Sequence, residues 1–464
     1  MRTPFHRTPR GLCLAPMAAL ALSAQSARSA ALVAFAALWA ALACLPSWAQ
    51  SSLSLQQAVA QASARSGLVS AAQAKVLAAR ERAVAAGQLP DPVLKFGVNN
   101  LPIDGPDRFS VRRDFMTMRS VSVMQELTRA DKRSARTRRA ETEGELAATM
   151  RQATLADLQR DAATAWLERS FQESMAGLLQ GQIVQAELQV QAAETLYGSG
   201  KGAQAEIYAA RGAVEQLRDV LAQAERQAAV ATTQLGRWVG DEAQQPLGAR
   251  PTLTLPAWAE GALAEGLPQR LPQLLPELLH QHPPIAAAAQ QEALADSEAA
   301  LARAAQSADW SVELMVSQRG PAYSNMVSVN LSLPLQWDQK SRQDRELAAR
   351  LAELDEARAR RQDLQRAHEA DVRALLQQWQ SHADRLRRYD AALLPLAAQR
   401  SAAALTAYRS GTGPLTAVLE ARRSQTDLGI ERLRIELDRA RVWAQLSYLL
   451  PMPDGRPAAL EVTR

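Results

Sequence analysis

The sequence predicts a mainly α-helical fold with a small β part, laid out as a duplicated unit of helix, strand, strand, very long helix and returning helix. Three observations predict it. Aromatic residues make up only 5% of the 464 residues, while long tracts are dominated by Ala, Gln, Leu, Arg and Glu, a composition that suits long helices better than a thick core. Proline and glycine cluster in a few places and leave long stretches almost free of both. Finally, the glycine-rich stretch Tyr197-Gly198-Ser199-Gly200-Lys201-Gly202 has a near copy 211 residues later, Tyr408-Arg409-Ser410-Gly411-Thr412-Gly413. Self-similarity at a fixed offset takes precedence over a domain-by-domain reading.

Residues 1–49 read as a signal peptide. Arg2, Arg7, Arg10 and Arg28 form a basic leader, Ala30 to Leu45 is an apolar run, and Ser47-Trp48-Ala49 resembles a cleavage site. A rival processing point is Ala41-Leu42-Ala43-Cys44, which would leave a lipidated Cys44. Cleavage after Ala49 removes both cysteines, so disulfides and thiolate metal sites are not expected. It also takes the charge balance from 53 cations against 48 acids to 49 against 48, which removes the support for a nucleic-acid partner.

The first repeat, residues 50–239, opens with a helical pattern from Leu53 to Gly87, stopped by Leu89-Pro90-Asp91-Pro92. The period then changes to two. Leu94, Phe96 and Val98 alternate with Lys95, Gly97 and Asn99, and after a loop with Pro102 and Pro106, Val121 and Val123 alternate with Ser120 and Ser122. Strands are expected at about 93–100 and 118–127. From Lys132 to Leu196 there is no proline, and a narrow apolar seam through Leu155, Leu158 and Ala162 predicts one helix on the order of 100 Å long. The turn at 197–202 sends the chain back to about Trp238.

Eight prolines between Gly240 and Pro284 mark a linker with one or two short helices. The second repeat, residues 285–450, then resumes the pattern. Its helix from Ile285 matches Leu68 onward at an offset of 217, strands are expected at about 310–317 and 326–335, and a second helical tract from about Lys340 reaches the turn at 408–413. Residues 451–464 form a tail.

Each repeat supplies only two strands, and an isolated hairpin is barely stable in water. One strand face is apolar and the other Ser-, Asn- and Gly-rich, a pattern that fits a lipid-facing barrel as well as a half-buried soluble sheet. Four strands cannot close a barrel, but three copies would supply about twelve. The expected assembly is therefore a homotrimer with a 12-stranded membrane β-barrel, continued by a long α-helical tunnel. A periplasmic coiled-coil scaffold with a small soluble sheet is the rival reading.

The motifs carry a family resemblance. Gly87-Gln88-Leu89-Pro90-Asp91-Pro92-Val93-Leu94, Asn99-Asn100-Leu101-Pro102, Phe115-Met116-Thr117-Met118 and Gln125-Glu126-Leu127 resemble the heavy-metal efflux branch of the TolC-like outer-membrane efflux proteins. Thr128 and Asp131-Lys132-Arg133 depart from the Pro and Gly-Lys-Arg usual after this strand in that branch. The resemblance implies an outer-membrane exit duct, its tunnel in the periplasm, that docks through its helical tips to a periplasmic adaptor and an inner-membrane pump of the resistance-nodulation-division class. It implies docking tips at Tyr197, Gly200, Gly202, Tyr408, Gly411, Gly413 and Pro414, and a tunnel mouth at Ala417 and Glu420, where Ala417 stands in place of an acid. Heavy-metal cations are the expected cargo, with drug efflux and protein secretion as alternatives.

No motif supports catalysis, and no cofactor is expected. His280-Gln281-His282 could chelate but has no clear third ligand, so no metal site is expected. Arg133, Arg136, Arg138 and Arg139, just after the second strand, read as a solvated face, with lipid headgroups or a charged lumen collar as the alternative.

Overall fold

The computed structural model describes residues 52–264 and 281–449. The leader with Cys13 and Cys44, His280 and the tail at 451–464 lie outside the described residues.

The chain begins with two helices, α1 (Leu55–Arg65) and α2 (Gly67–Ala86), where periodicity alone suggests one. The break has a local cause. Ser66 leaves the helical region and its hydroxyl accepts from the Val69 amide, which caps a new helix. Ser54 and Gln57 form a reciprocal capping box at the start of α1.

Four alternating stretches form β1 (Val93–Asn99), β2 (Met118–Leu127), β3 (Trp310–Gln318) and β4 (Met326–Ser332). β4 stops short of the expected end because Pro334 cannot donate to a ladder. The strands make one antiparallel sheet in the order β1-β2-β3-β4, with the two hairpins joined through β2 and β3. The outer edges of β1 and β4 have no partner strand among the described residues.

Register sorts the side chains into two faces. Leu94, Val123, Leu314 and Val329 form one cross-strand row, and Phe96, Val121, Val316 and Val327 the next, all exposed. Arg119, at the loop end, is the one charged strand residue on that face. The opposite face carries Ser120, Ser122, Ser317, Ser328 and Asn330. There Glu313 accepts from the Ser122 hydroxyl at 2.6 Å and lies 3.3 Å from the Lys95 ammonium.

β2 leads into α3 (Ala130–Gly198), a 69-residue helix without interruption, about 100 Å long at 1.5 Å per residue. It returns through α4 (Gln204–Val239). A short 3₁₀ turn, Gly240–Gln244, and α5 (Ala257–Ala264) follow, then α6 (Pro283–Ala304), β3 and β4. The second descending arm differs from the first. It comprises α7 (Gln343–Arg388), a π turn (Tyr389–Leu393) and α8 (Leu394–Arg409), before α9 (Leu415–Ser447) returns. Pro395 explains the interruption, because it offers no amide to Ala391 and its ring would crowd that carbonyl. The Leu394 amide instead reaches five residues back, to Tyr389.

The narrow seams of the sequence suggest a helical wall without a solid core, yet one substantial core exists midway along α3. Trp166, Leu167 and Phe171 of α3 pack with Val59 of α1, Leu235 of α4, Leu376 of α7 and Trp443 of α9. The described part of the proline-rich segment joins it through Leu255, Ala259 and Ala262. Two buried indoles hold the irregular backbone in place, since Trp166 donates to the Leu53 carbonyl at 2.9 Å and Trp443 to that of Thr254 at 2.7 Å. Arg169 spans the Ala243 and Gln245 carbonyls. The described part of the proline-rich backbone is thus fixed against the helices at this level.

Candidate functional site

The two glycine turns close their helix pairs with the same hydrogen bonds. In the first, the Gly200 amide donates to Tyr197 and the Lys201 amide to Leu196, both at 2.9 Å. In the second, the Gly411 amide donates to Tyr408 at 3.0 Å and the Thr412 amide to Ala407 at 2.9 Å. Gly200 and Gly411 have φ of 72° and 75°, the left-handed region that ends a helix at little cost only in glycine. Gly202 and Gly413 are instead closely surrounded. A Cβ at Gly202 would sit 3.1 Å from the Tyr197 nitrogen, and one at Gly413 would sit 3.1 Å from the Ala407 Cβ. Pro414 then caps α9 from an extended conformation.

The turns sit side by side. Ala193 of α3 and Ala210 of α4 share a small apolar cluster with Tyr408, Leu415 and Val418 of the second turn, and Leu196 and Ile207 pack against it. The two tyrosines that match in sequence have different surroundings, however. Tyr197 is 48% exposed, while Tyr408 is 8% exposed and fills the shared cluster. Burial, then the neighbouring Glu206 carboxylate, pushes the Tyr408 phenol up from its ordinary value. A ring so enclosed offers shape and stiffness to the tip; Tyr197 offers a surface.

Ala417 and Glu420 are exposed on α9, on the side away from buried Leu415, Val418 and Ala421. The position 211 residues before Ala417 is Glu206, and the one before Glu420 is Ala209. Each turn is therefore followed by one acid, at alternate places. Glu420 lines a groove of about 460 Å³ between α3, α4 and α9, with Arg423 and Asp427 beside it and Leu179, Ala213 and Leu217 as its apolar wall.

The structure also makes a pairing that sequence reasoning missed. His282, read as half of a possible chelate with His280, turns its ring edge to His368 of α7 with centroids 4.6 Å apart. His282 is 6% exposed, and burial, the His368 ring and Arg160 push its imidazole down to about 4. Separation along the chain hid the pair, and only the fold brings residues 282 and 368 together. Among the described residues no three His, Cys, Asp or Glu side chains form a group that could hold a metal. Of the arginines after β2, Arg139 pairs with Glu298 at 3.0 Å and with Glu143.

No family model matches the sequence, and no curated protein matches it. Solved structures do share its fold. The outer-membrane channel OprN is 18% identical with a TM-score of 0.70, the match covering 87% of this chain and 91% of that one. The outer-membrane protein VceC from Vibrio cholerae is 16% identical with a TM-score of 0.69, covering 85% and 95%. CusC, described as forming a transmembrane channel, is 16% identical with a TM-score of 0.67, covering 86% and 92%. The sheet and the helices together are thus the fold of known outer-membrane channels.

Proposed function

We propose that the chain is the outer-membrane channel component of a tripartite efflux system, a passive duct and not an enzyme. The observation that carries this reading is the four-stranded sheet. Its exposed face bears two complete rows of Leu, Val and Phe, its other face is mostly polar with a few methionines, and neither edge has a partner strand among the described residues. Exposed apolar rows on that scale are costly in water and favourable in lipid. Open edges in lipid leave backbone groups without partners, and pairing the β1 edge of one copy with the β4 edge of the next removes the cost. Three copies would give twelve strands and a closed wall. Such a passive duct would draw its energy from a pump. The fold shared with outer-membrane channels supports the same assignment.

The partners in this reading are a periplasmic adaptor and an inner-membrane pump of the resistance-nodulation-division class. The paired turns around Gly200 and Gly411 are the docking surface, and Glu420 is a charge at the tunnel mouth. Heavy-metal cations are the cargo that the strand motifs favour. A protein purified in mild detergent is expected to run as a heat-resistant trimer and to conduct ions in a planar bilayer. A monomer without conductance would leave only a periplasmic scaffold. Deletion of the gene is expected to sensitise cells to divalent or monovalent heavy metals, and sensitivity confined to organic drugs would redirect the cargo assignment.

A further inference from the structure

The sheet ends, on the helix side, in a short segment whose composition the duct reading does not use. After β4 the alternation continues outward through Leu333 and Leu335, both exposed, and Gln336 pins the descending backbone by donating to the Ala305 carbonyl at 3.3 Å. Trp337 follows and is 88% exposed. Beyond it stand Lys340, Arg342 and Arg345, all exposed and none in an ion pair among the described residues. Two acids lie within the same segment, Asp338 and Asp344, which leaves it with three cations against two acids. Asp338 accepts from the Ser341 amide, Asp344 from the Gln306 side chain at 2.8 Å, and Glu346 pairs with Arg350 at 3.0 Å. Trp310 begins β3 at the same end of the sheet and is also exposed.

We infer that residues 333–345 form a binding site for anionic phospholipid headgroups at the periplasmic rim of the barrel. This rests on the proposed membrane reading. Three physical features point to the occupant. The segment is continuous with the exposed apolar rows, so its leucines meet acyl chains where the rows do. An indole with an apolar ring and one N–H donor favours the headgroup level over either water or hydrocarbon. Three cations outside any ion pair among the described residues stand directly beyond the indole, at the depth of phosphate, and outnumber the segment's two acids, so the segment complements negative charge there. A protein partner would be expected to bury Trp337 in a complementary pocket and to ignore lipid charge. A lipid surface has neither requirement.

The test uses the full-length protein reconstituted in phosphatidylcholine vesicles with a minor fraction of phosphatidylglycerol, and spin-labelled versions of both lipids to read their relative association with the protein. Phosphatidylglycerol is expected to be preferred several-fold at low salt. Since each net positive charge near the surface contributes roughly fivefold, the segment's excess of one cation over its acids accounts for that preference, which should be lost in K340Q/R342Q/R345Q, where only the two acids remain. Trp337→Ala is expected to weaken association of both lipids equally. Arg360→Gln, on a helical surface farther along α7 where Arg360 pairs with Glu356, should change nothing. Inserted protein with no preference for phosphatidylglycerol, or a triple variant that keeps it, overturns the headgroup site and leaves the duct intact. Failure of the unaltered protein to enter either vesicle removes the membrane reading and the site with it.

Discussion

The two turns carry matched sequences, share one pattern of hydrogen bonds and the same left-handed glycine, yet they play unequal parts in packing. The first caps an unbroken 69-residue helix and leaves Tyr197 to solvent. The second caps an arm interrupted by a π turn, and its Tyr408 is enclosed by residues of both turns. The interruption itself is tied down, because Asp390 in the π turn holds Arg432 of α9 at 2.6 Å. What a matched sequence preserves is the local geometry that glycine alone can supply. What it does not preserve is which side chain the neighbouring turn covers, since that depends on the packing of four helices rather than on any one of them.

The tyrosine pair gives the largest way to break this comparison. Truncating a buried aromatic to alanine costs about 3–5 kcal/mol, whereas an exposed one costs little. Tyr408→Ala is therefore expected to raise amide hydrogen exchange sharply in both turns, because both contribute to its pocket. Tyr197→Ala should leave exchange nearly unchanged. Equal effects from the two variants would mean that the turns are equivalent after all.

The glycines sharpen the comparison from the other side, where likeness is expected. Gly200→Ala and Gly411→Ala each place a Cβ on a left-handed residue with nothing within 4 Å to clash. Each should cost about 1–2 kcal/mol of local stability from backbone strain alone, and by the same amount, as read by exchange in the two turns. A clear inequality would show that one turn tolerates a different backbone.

A smaller effect distinguishes two positions 217 residues apart. The residue 217 positions before His282 is Arg65, which donates to the Val239 carbonyl; in its place His282 packs against His368. Its imidazole is held down to about 4, below the ordinary value of 6.5. Between those two values the unfolded chain takes up the proton more readily than the folded one. Stability is thus full above about pH 6.5 and is lost as pH falls toward 4. The groups facing the pair are Arg160 and Asp157 of α3, Asp371 of α7 and Tyr448 beyond α9. A melting temperature that falls by about 1–3 °C across this window, with the slope reduced in His282→Gln, is the expected outcome. Identical slopes would remove His282 from the account.

Much of this architecture is legible in the sequence because its signals are local. Alternation of Val121 and Val123 with Ser120 and Ser122 needs no knowledge of the fold to mark a strand. Nor does a left-handed glycine between two helical patterns need it to mark a turn. The break at Ser66 was less visible, since a single serine in an alanine-rich helix has no period to disturb. Pro395 shows the opposite limit. It is plain in the sequence, but whether a proline ends a helix or is absorbed by a π turn depends on what holds the two pieces in line, here Asp390 with Arg432. The His282–His368 contact and the burial of Tyr408 are tertiary and leave no trace in spacing.

The least effect is expected from the acids that follow the turns, and it tests the proposed mouth. Glu206 and Glu420 occupy alternate places in the two copies. Glu206 is half-buried beside Tyr408, whereas Glu420 is exposed in the groove with Arg423 and Asp427. An exposed charge acts on passing ions through screened solvent, where the interaction is below about 1 kcal/mol. Glu420→Gln should therefore change single-channel conductance in a planar bilayer by less than about fivefold and make it less dependent on salt. Glu206→Gln should instead lower the Tyr408 phenol toward its ordinary value and leave conductance alone, because its carboxylate faces the packed cluster. Conductance altered by Glu206→Gln and indifferent to Glu420→Gln would transfer the mouth from the second turn to the first.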